Sequence, residues 1–254
     1  MTHSPELQAA LDAANEAASI ARSMYRRNIE VRLKSDKSPV TDADTQCEAA
    51  IRKILETRFP HYGFLGEETA PRDREAENLW LVDPIDGTKA FVREYPMFST
   101  QIALMRSGEI VLGVSSAPLY GEVAFAERGC GAYLNGQTLA VSQIAELESA
   151  ALSTGNLKTL ASGTAWSRYG GLVARVDRIR GYGDFLQYHL LAAGKIDAVI
   201  ESDVKILDIA ACVAIVSEAG GQFTDLSGAP ITLQSTSVLA TNGCLHAAVL
   251  AALA

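Results

Sequence analysis

Acidic side chains carry the chemistry open to this sequence. Asp83 and Asp86 lie three residues apart in LVDPIDGTKAFV, residues 81–92, with Pro84 between them and Gly87 and Thr88 after. Glu67 and Glu68 follow FLG, Asp44 begins one predicted helix, and Asp208 sits just inside another. Carboxylates with no histidine or cysteine beside them suit hard cations. Magnesium takes oxygen ligands and keeps several waters for a substrate. If these acids converge without a cation, they repel one another and hold their protons to higher pH. Taken singly, each has a structural reading as well. Asp83 or Asp86 serves equally as a turn or cap acid, Glu67 and Glu68 as a solvated loop pair, and Asp44 or Asp208 as a first-turn partner of a helix dipole.

Pro84 fixes its own φ and has no N–H. A Pro84-Ile85 turn is therefore expected, aiming both acids and the Ile85 carbonyl into one small volume. Asp86-Gly87-Thr88 then opens a short helix, TKAFVREY. Its first amides, with Gly87 permitting close backbone approach, form an anion seat. A metal on one side and amides on the other suggest a phosphoester.

These residues need elements to hold them. Leu7, Leu11, Ala14, Ala18, Ala21 and Met24 recur at helical spacing and predict a helix over 5–28. A polar loop, RLKSDKSPVTDAD, leads to a second amphipathic helix closed by Phe59-Pro60, with Thr41 or Asp42 as N-cap. YGFLGEE reads as a short strand ending at Gly66, and NLWLVD as a strand buried on both faces. From Ser99 to Val141, short β-type runs separated by turns predict an antiparallel meander. Beyond it, AALST, IDAVIES, QFTDL and SVLAT read as strands. SRYGGLVARVDRI, DFLQYHLLAAG, ILDIAACVAIVSEAGG and the C-terminus read as helices. The expectation is a mixed α/β (α+β) architecture in two packed halves, 1–145 and 146–254, forming one compact unit.

Bulk composition narrows the classes. The 254 residues are 48% hydrophobic and 20% charged, which is globular. A net charge of −8 makes nucleic acid and anionic membranes poor partners, although a metal can still invert the local field for a small anion. No apolar run approaches a membrane span, and the N-terminus lacks a signal-peptide layout. Cys47, Cys130, Cys212 and Cys244 form no C-x-x-C pair and read as small core residues in a reducing, cytoplasmic setting. The four histidines, His3, His61, His189 and His246, form no paired motif and read as surface or packing residues.

PVTDAD, FLGEE, WLVDPIDGTKAF, GAYLNGQ and DIAACVAIVSEAGG, in this order across residues 39–221, resemble the inositol monophosphatase-like superfamily of magnesium-dependent, typically lithium-sensitive phosphatases. The resemblance implies a layered α-β-α-β-α sandwich, usually a homodimer. It implies that Glu67, Asp83, the Ile85 carbonyl, Asp86 and Asp208 hold two or three magnesium ions. Asp44 and Thr88 would orient the attacking water, Glu67 would help activate it, and Gly87 and Thr88 would give amides to the phosphate. One position departs from the pattern: Leu207 precedes Asp208, where relatives commonly carry tryptophan. A haloacid-dehalogenase site is a poor match, because its D-x-D-G-T spacing is one residue shorter than Asp83 to Asp86.

The substrate is read from the second half. Glu201 lies seven residues before Asp208, where relatives place an acid against the substrate. RGYGDFLQYHLLAAGK, residues 180–195, resembles the R-x-x-G-D segment of the histidinol-phosphate phosphatase branch. Asp184 would then meet a cationic amine or imidazole; it reads equally as the N-cap of the helix that follows. L-Histidinol phosphate is the expected substrate. Inositol monophosphate, or a broad range of sugar and nucleotide phosphates, is the alternative.

Overall fold

The computed structural model describes residues 3–27, 30–34 and 39–254. The first half runs α1 (Pro5–Met24), β1 (Val31–Leu33), β2 (Pro39–Thr41), α2 (Asp42–Arg58), β3 (Gly63–Gly66), β4 (Asn78–Asp86) and α3 (Thr88–Val92). The meander follows as β5 (Ser99–Arg106), β6 (Glu109–Ala117), β7 (Glu122–Glu127), β8 (Ala132–Leu134) and β9 (Gln137–Thr138). A 3-10 turn, Leu147–Ser149, leads to β10 (Ala151–Thr154), α4 (Lys158–Ser162), α5 (Ala165–Val173), β11 (Arg178–Arg180) and α6 (Asp184–Ala192). The chain closes with β12 (Ala198–Ser202), α7 (Ile206–Glu218), β13 (Gln222–Thr224), β14 (Ser237–Thr241) and α8 (His246–Leu253).

Strands β3 to β9 lie side by side in chain order, antiparallel except for the parallel β3–β4 pair. The second sheet is mixed, ordered β11-β10-β12-β14-β13. Three apolar clusters fix the stacking. Alanines of α1 and Ile51 and Leu55 of α2 pack with Trp80, Val82 and Ile102 on one face of the first sheet. Leu79, Leu81 and Ala103 on its other face pack with α6, α7 and Val199 of the second sheet. Leu152 and Ile200 on the far face of that sheet pack with α5 and α8. The result is an α-β-α-β-α sandwich with α6 and α7 as its middle layer. A Cβ on Gly113 of β6 would overlap the backbone of Ala211, so its absence lets α7 lie directly on the first sheet.

Several elements differ from expectation. Helix α1 stops at Met24, where Tyr25 takes an extended backbone and packs its ring edge-on to Phe91 and tilted against Phe98, at ring separations of 5.6 and 5.4 Å. Arg26 then takes a left-handed φ of 57°. Asn28, the expected end, lies outside the described residues. The supposed polar loop contains the β1–β2 ribbon, Val31 pairing with Thr41; residues 35–38 of it lie outside the described residues. The helix expected through Ile179 ends at Val173, and Arg178–Arg180 pair in parallel with β10. Gly170 and Gly171 weaken that helix, while the edge of β10 takes the chain that follows. Cys47 and Cys212 are core residues as expected, but Cys130 and Cys244 are exposed.

Candidate active site

The Pro84-Ile85 segment is a bulge within β4, and not a turn. Asp83 pairs with Gln101 and Asp86 with Ser99, so two residues of β4 face the single Thr100 between them. A regular strand alternates faces, and residues three apart would point opposite ways. The extra residue restores the parity, so Asp83 and Asp86 both emerge on the α7 side. Proline suits this position because it removes a ladder donor where none is needed. The Pro84 carbonyl instead accepts the Thr100 hydroxyl at 2.8 Å. The Ile85 side chain is buried on the opposite face, among the residues packed against α1 and α2.

Asp208, on the first turn of α7, completes a group. Carboxylate oxygens of Asp83, Asp86 and Asp208 lie within 4.8 Å of one another. All three hold their protons well above the usual range. For Asp83 the cause is burial, then the charges of Glu67, Asp86 and Asp208. For Asp86 it is burial, then Asp184, Asp208 and Glu201. Burial pushes Asp208 up to about 6, although the Lys205 amide, 2.8 Å away, opposes the shift. Buried like charges with oxygen donors and no nitrogen or sulfur are the donor set of a hard divalent cation. The residues present fit magnesium.

Glu67 stands at the rim, 3.2 Å from both Lys34 and Lys205. Its loop is held from behind by Glu48 of α2, a fully buried residue that sequence reasoning missed. Glu48 accepts the Glu68 amide at 2.7 Å and the Thr69 hydroxyl at 2.5 Å. The only advance signal was an acid on the apolar face of an amphipathic helix.

Asp44 is also buried. It accepts the Thr41 amide and hydroxyl at 2.8 and 2.6 Å, a capping box for α2 with Thr41 as N-cap. Its other oxygen lies 3.0 Å from the Thr88 hydroxyl, which is also 3.1 Å from the Ile85 carbonyl. Burial raises the Asp44 pKa, and these hydrogen bonds oppose it. Gly87, at φ 91°, caps α3 where a Cβ would meet the Met97 carbonyl at 2.5 Å. Only glycine takes both that φ and that space.

Asp184 and Glu201 approach from the second half. Asp184 has a left-handed φ of 44° and makes no cap hydrogen bond to α6, so the N-cap reading fails. Among the described residues no donor is hydrogen-bonded to it, and burial raises its pKa. Glu201 is anchored: it accepts from the Asn156 amide at 3.1 Å, Gln187 Nε2 at 2.7 Å and the Tyr188 hydroxyl at 2.8 Å. Burial still raises it to about 7. Gln187, Tyr188 and Asn156 carried no sequence signal, since each depends on the approach of α6 and β10 to β12.

Every site residue expected from the sequence except Asp44 lines one cavity of about 340 Å³, together with Lys89, Tyr95, Asn156 and Tyr188. Among the described residues, six of its lining groups are acids: Glu67, Asp83, Asp86, Asp184, Glu201 and Asp208. Leu207 belongs to the apolar layer and does not line the cavity. The residue that departs from the family pattern therefore packs in the apolar layer and contributes nothing to the cavity wall.

Comparison with known proteins shows the family and the fold. A model of the inositol monophosphatase family matches residues 3–254. A histidinol-phosphatase of Mycobacterium tuberculosis is 40% identical over 256 residues, covering 98% of this chain and 98% of its own. An inositol-1-monophosphatase of Mesorhizobium japonicum is 34% identical, covering 89% and 86%. The crystal structure of extragenic suppressor protein suhB from Bartonella henselae superposes with a TM-score of 0.89 at 33% identity, over 97% of both chains.

Proposed function

The chain belongs to the inositol monophosphatase family and is a phosphatase; we propose that it is magnesium-dependent and that its substrate is L-histidinol phosphate. Glu67, Asp83, the Ile85 carbonyl, Asp86 and Asp208 would hold two or three magnesium ions per subunit. Bound there, magnesium supplies a more acidic water and neutralises charge on the phosphoryl oxygens. The remaining work falls to the chain. Asp44 takes the Thr88 hydroxyl proton, which leaves the Thr88 oxygen able to accept from the attacking water and orient it. Glu67, at the rim of the same wall, takes that water's proton. The first amides of α3, at Gly87 and Thr88, face the phosphate. Hydrolysis breaks the phosphoester P–O bond as the water oxygen bonds to phosphorus in line, and the proton taken by Glu67 passes on to the departing alkoxide, which leaves as the alcohol.

The observation that carries the substrate is Asp184. Six acids line the cavity, and with a phosphate dianion present a cationic substrate group offsets the excess. Glu201 already has three donors, whereas Asp184 lines the cavity with none among the described residues. A buried carboxylate left unpaired by the wrong ligand gives selectivity. The similarity to histidinol-phosphatases supports this reading. The similarity to inositol-1-monophosphatases keeps inositol 1-phosphate, or a broader set of sugar and nucleotide phosphates, as the second reading. We read the enzyme further as a cytoplasmic homodimer, with residues 1–145 carrying the phosphate groups and all the metal acids but one, and 146–254 the selectivity residues and the last metal ligand, Asp208. No described helix is long and apolar enough to cross a membrane.

The test is phosphate release with magnesium from histidinol phosphate, inositol 1-phosphate, fructose 1,6-bisphosphate and adenosine 3′,5′-bisphosphate, for the parent and Asp184→Asn. Histidinol phosphate should give the highest kcat/KM. The substitution should lower that value by roughly tenfold or more, the worth of a charge-assisted contact, and spare inositol 1-phosphate. Equal losses on both substrates would remove Asp184 from selectivity.

A further inference from the structure

Behind Asp86, a line of polar groups crosses the apolar layer between the first sheet and α6. Ser99 Oγ lies 3.3 Å from Asp86 Oδ2, and Gln101 Nε2 lies 2.8 Å from Ser99 Oγ and 3.0 Å from Ser115 Oγ. His189 Nε2 lies 2.9 Å from Ser115 Oγ, and its Nδ1 lies 2.9 Å from Glu122 Oε2. Ser99, Gln101, Ser115 and His189 are buried, and Glu122 reaches solvent. Polar groups in such a place destabilise the fold unless each donor meets an acceptor. Here they do.

The directions of these hydrogen bonds follow from the middle outward. Gln101 Nε2 has two hydrogens and gives one to each serine, while its Oε1 faces the Cys212 thiol at 3.8 Å. Both serine oxygens are therefore acceptors on that side, and their own protons point away. Ser99 donates to Asp86, and Ser115 donates to His189 Nε2. A ring nitrogen that accepts leaves Nδ1 to carry the hydrogen and donate to Glu122. The amide in the middle passes no proton, so the line orients groups and does not conduct.

We propose that His189 is a positioning residue for Asp86: by accepting the Ser115 proton it locks the Gln101 amide, which keeps the Ser99 hydroxyl on the Asp86 carboxylate and sets that carboxylate's orientation beside Asp83 and Asp208. His189 lies on α6, the helix that begins at Asp184, so the same contact ties the selectivity helix to the sheet bearing the metal acids. The proposal rests on the reading of Asp86 as a metal ligand. Outer groups that orient ligating carboxylates change metal affinity or activity by roughly 10–100-fold when lost.

Four variants test it: Ser115→Ala, His189→Phe, which keeps a ring of similar size, their double, and His189→Gln, which restores an acceptor and a donor. Magnesium affinity is read by calorimetry on folded protein, alongside kcat and KM for histidinol phosphate. Each single variant should weaken magnesium binding and kcat by roughly tenfold, with substrate KM unchanged. The double should be no worse than the worse single, and His189→Gln should recover most of the loss. Singles that fold and stay within about twofold of the parent in magnesium affinity and kcat overturn the proposal. Nitrogen-15 NMR of the unaltered protein gives a measurement independent of any variant: a hydrogen on Nδ1 with Nε2 bare supports it, and a hydrogen on Nε2, alone or together with one on Nδ1, overturns it. Asp86→Asn is run in parallel. If it retains parental magnesium affinity, the metal reading falls and the positioning role with it; if it loses affinity while the His189 set does not, only the positioning role falls.

Discussion

Asp83 is the acid whose neighbours say most about its role. It is buried, and Glu67, Asp86 and Asp208 all push its pKa up. Asp83→Asn should lower kcat by roughly a thousandfold, since a metal centre supplies several kcal/mol of transition-state stabilisation. The same change removes a repelling charge, so the metal-free variant should melt no lower than the metal-free parent at neutral pH. Near-normal turnover by phosphate release would end the metal reading. Glu48 is a subtler case. As a carboxylate it accepts both the Glu68 amide and the Thr69 hydroxyl. Glutamine keeps one oxygen for the Glu68 amide and can only donate to the Thr69 hydroxyl, so Glu48→Gln replaces two charge-assisted anchors behind Glu67 with weaker neutral ones. A kcat lowered by roughly tenfold or more, with histidinol-phosphate KM little changed, is expected; an unchanged kcat would make Glu48 a stability residue alone.

At the scale of elements, chain order and residue type told much and spacing told less. NLWLVD is legible as a buried strand because a continuous apolar run of that length has few other uses, and SVLAT is legible as a short strand. The Asp83–Asp86 pair was legible as a site, but its mechanism was misread. Pro84 signals a break in hydrogen bonding, and only the pairing partners Gln101 and Ser99 distinguish a bulge from a turn. Arg178 and Ile179 read as helix because Val176 and Ile179 continue the apolar spacing of α5; the edge of β10 decides otherwise, and only the fold brings it alongside. Gln187 and Tyr188 were invisible for the same reason, since their acceptor Glu201 arrives on β12. That convergence can be tested through Gly155. A Cβ there would overlap the Glu201 carboxylate, so Gly155→Ala must push it off its three donors. Overpacking of this kind costs about 1–3 kcal/mol, or several degrees in melting temperature at this size. Substrate preference should change while calorimetric magnesium affinity holds. A variant that melts with the parent and keeps its preference would show that Glu201 is not fixed in place by this crowding.

Across the whole molecule, the acids of both halves meet at one end of the α6–α7 layer, and their burial, reinforced by mutual repulsion, couples stability to pH. Asp208 is raised to about 6, Glu201 to about 7, and Asp83 and Asp86 well above the carboxylate range. In the unfolded chain the same groups lose their protons near pH 4. Between roughly pH 4 and 7 the native state therefore binds more protons than the unfolded state, and metal-free stability falls as pH rises through that window. Magnesium competes with those protons, so its affinity rises over the same range. Calorimetric melting in EDTA and in magnesium, at pH 5 and pH 8, separates the effects. At a hundredfold excess over Kd, linkage gives about 2.7 kcal/mol, or roughly 5–10 °C for a chain of this size. That gain should be present at pH 8 and much reduced at pH 5, where the carboxyls keep their protons. A magnesium shift as large at pH 5 as at pH 8 would mean that the ion does not bind where Asp83, Asp86 and Asp208 converge.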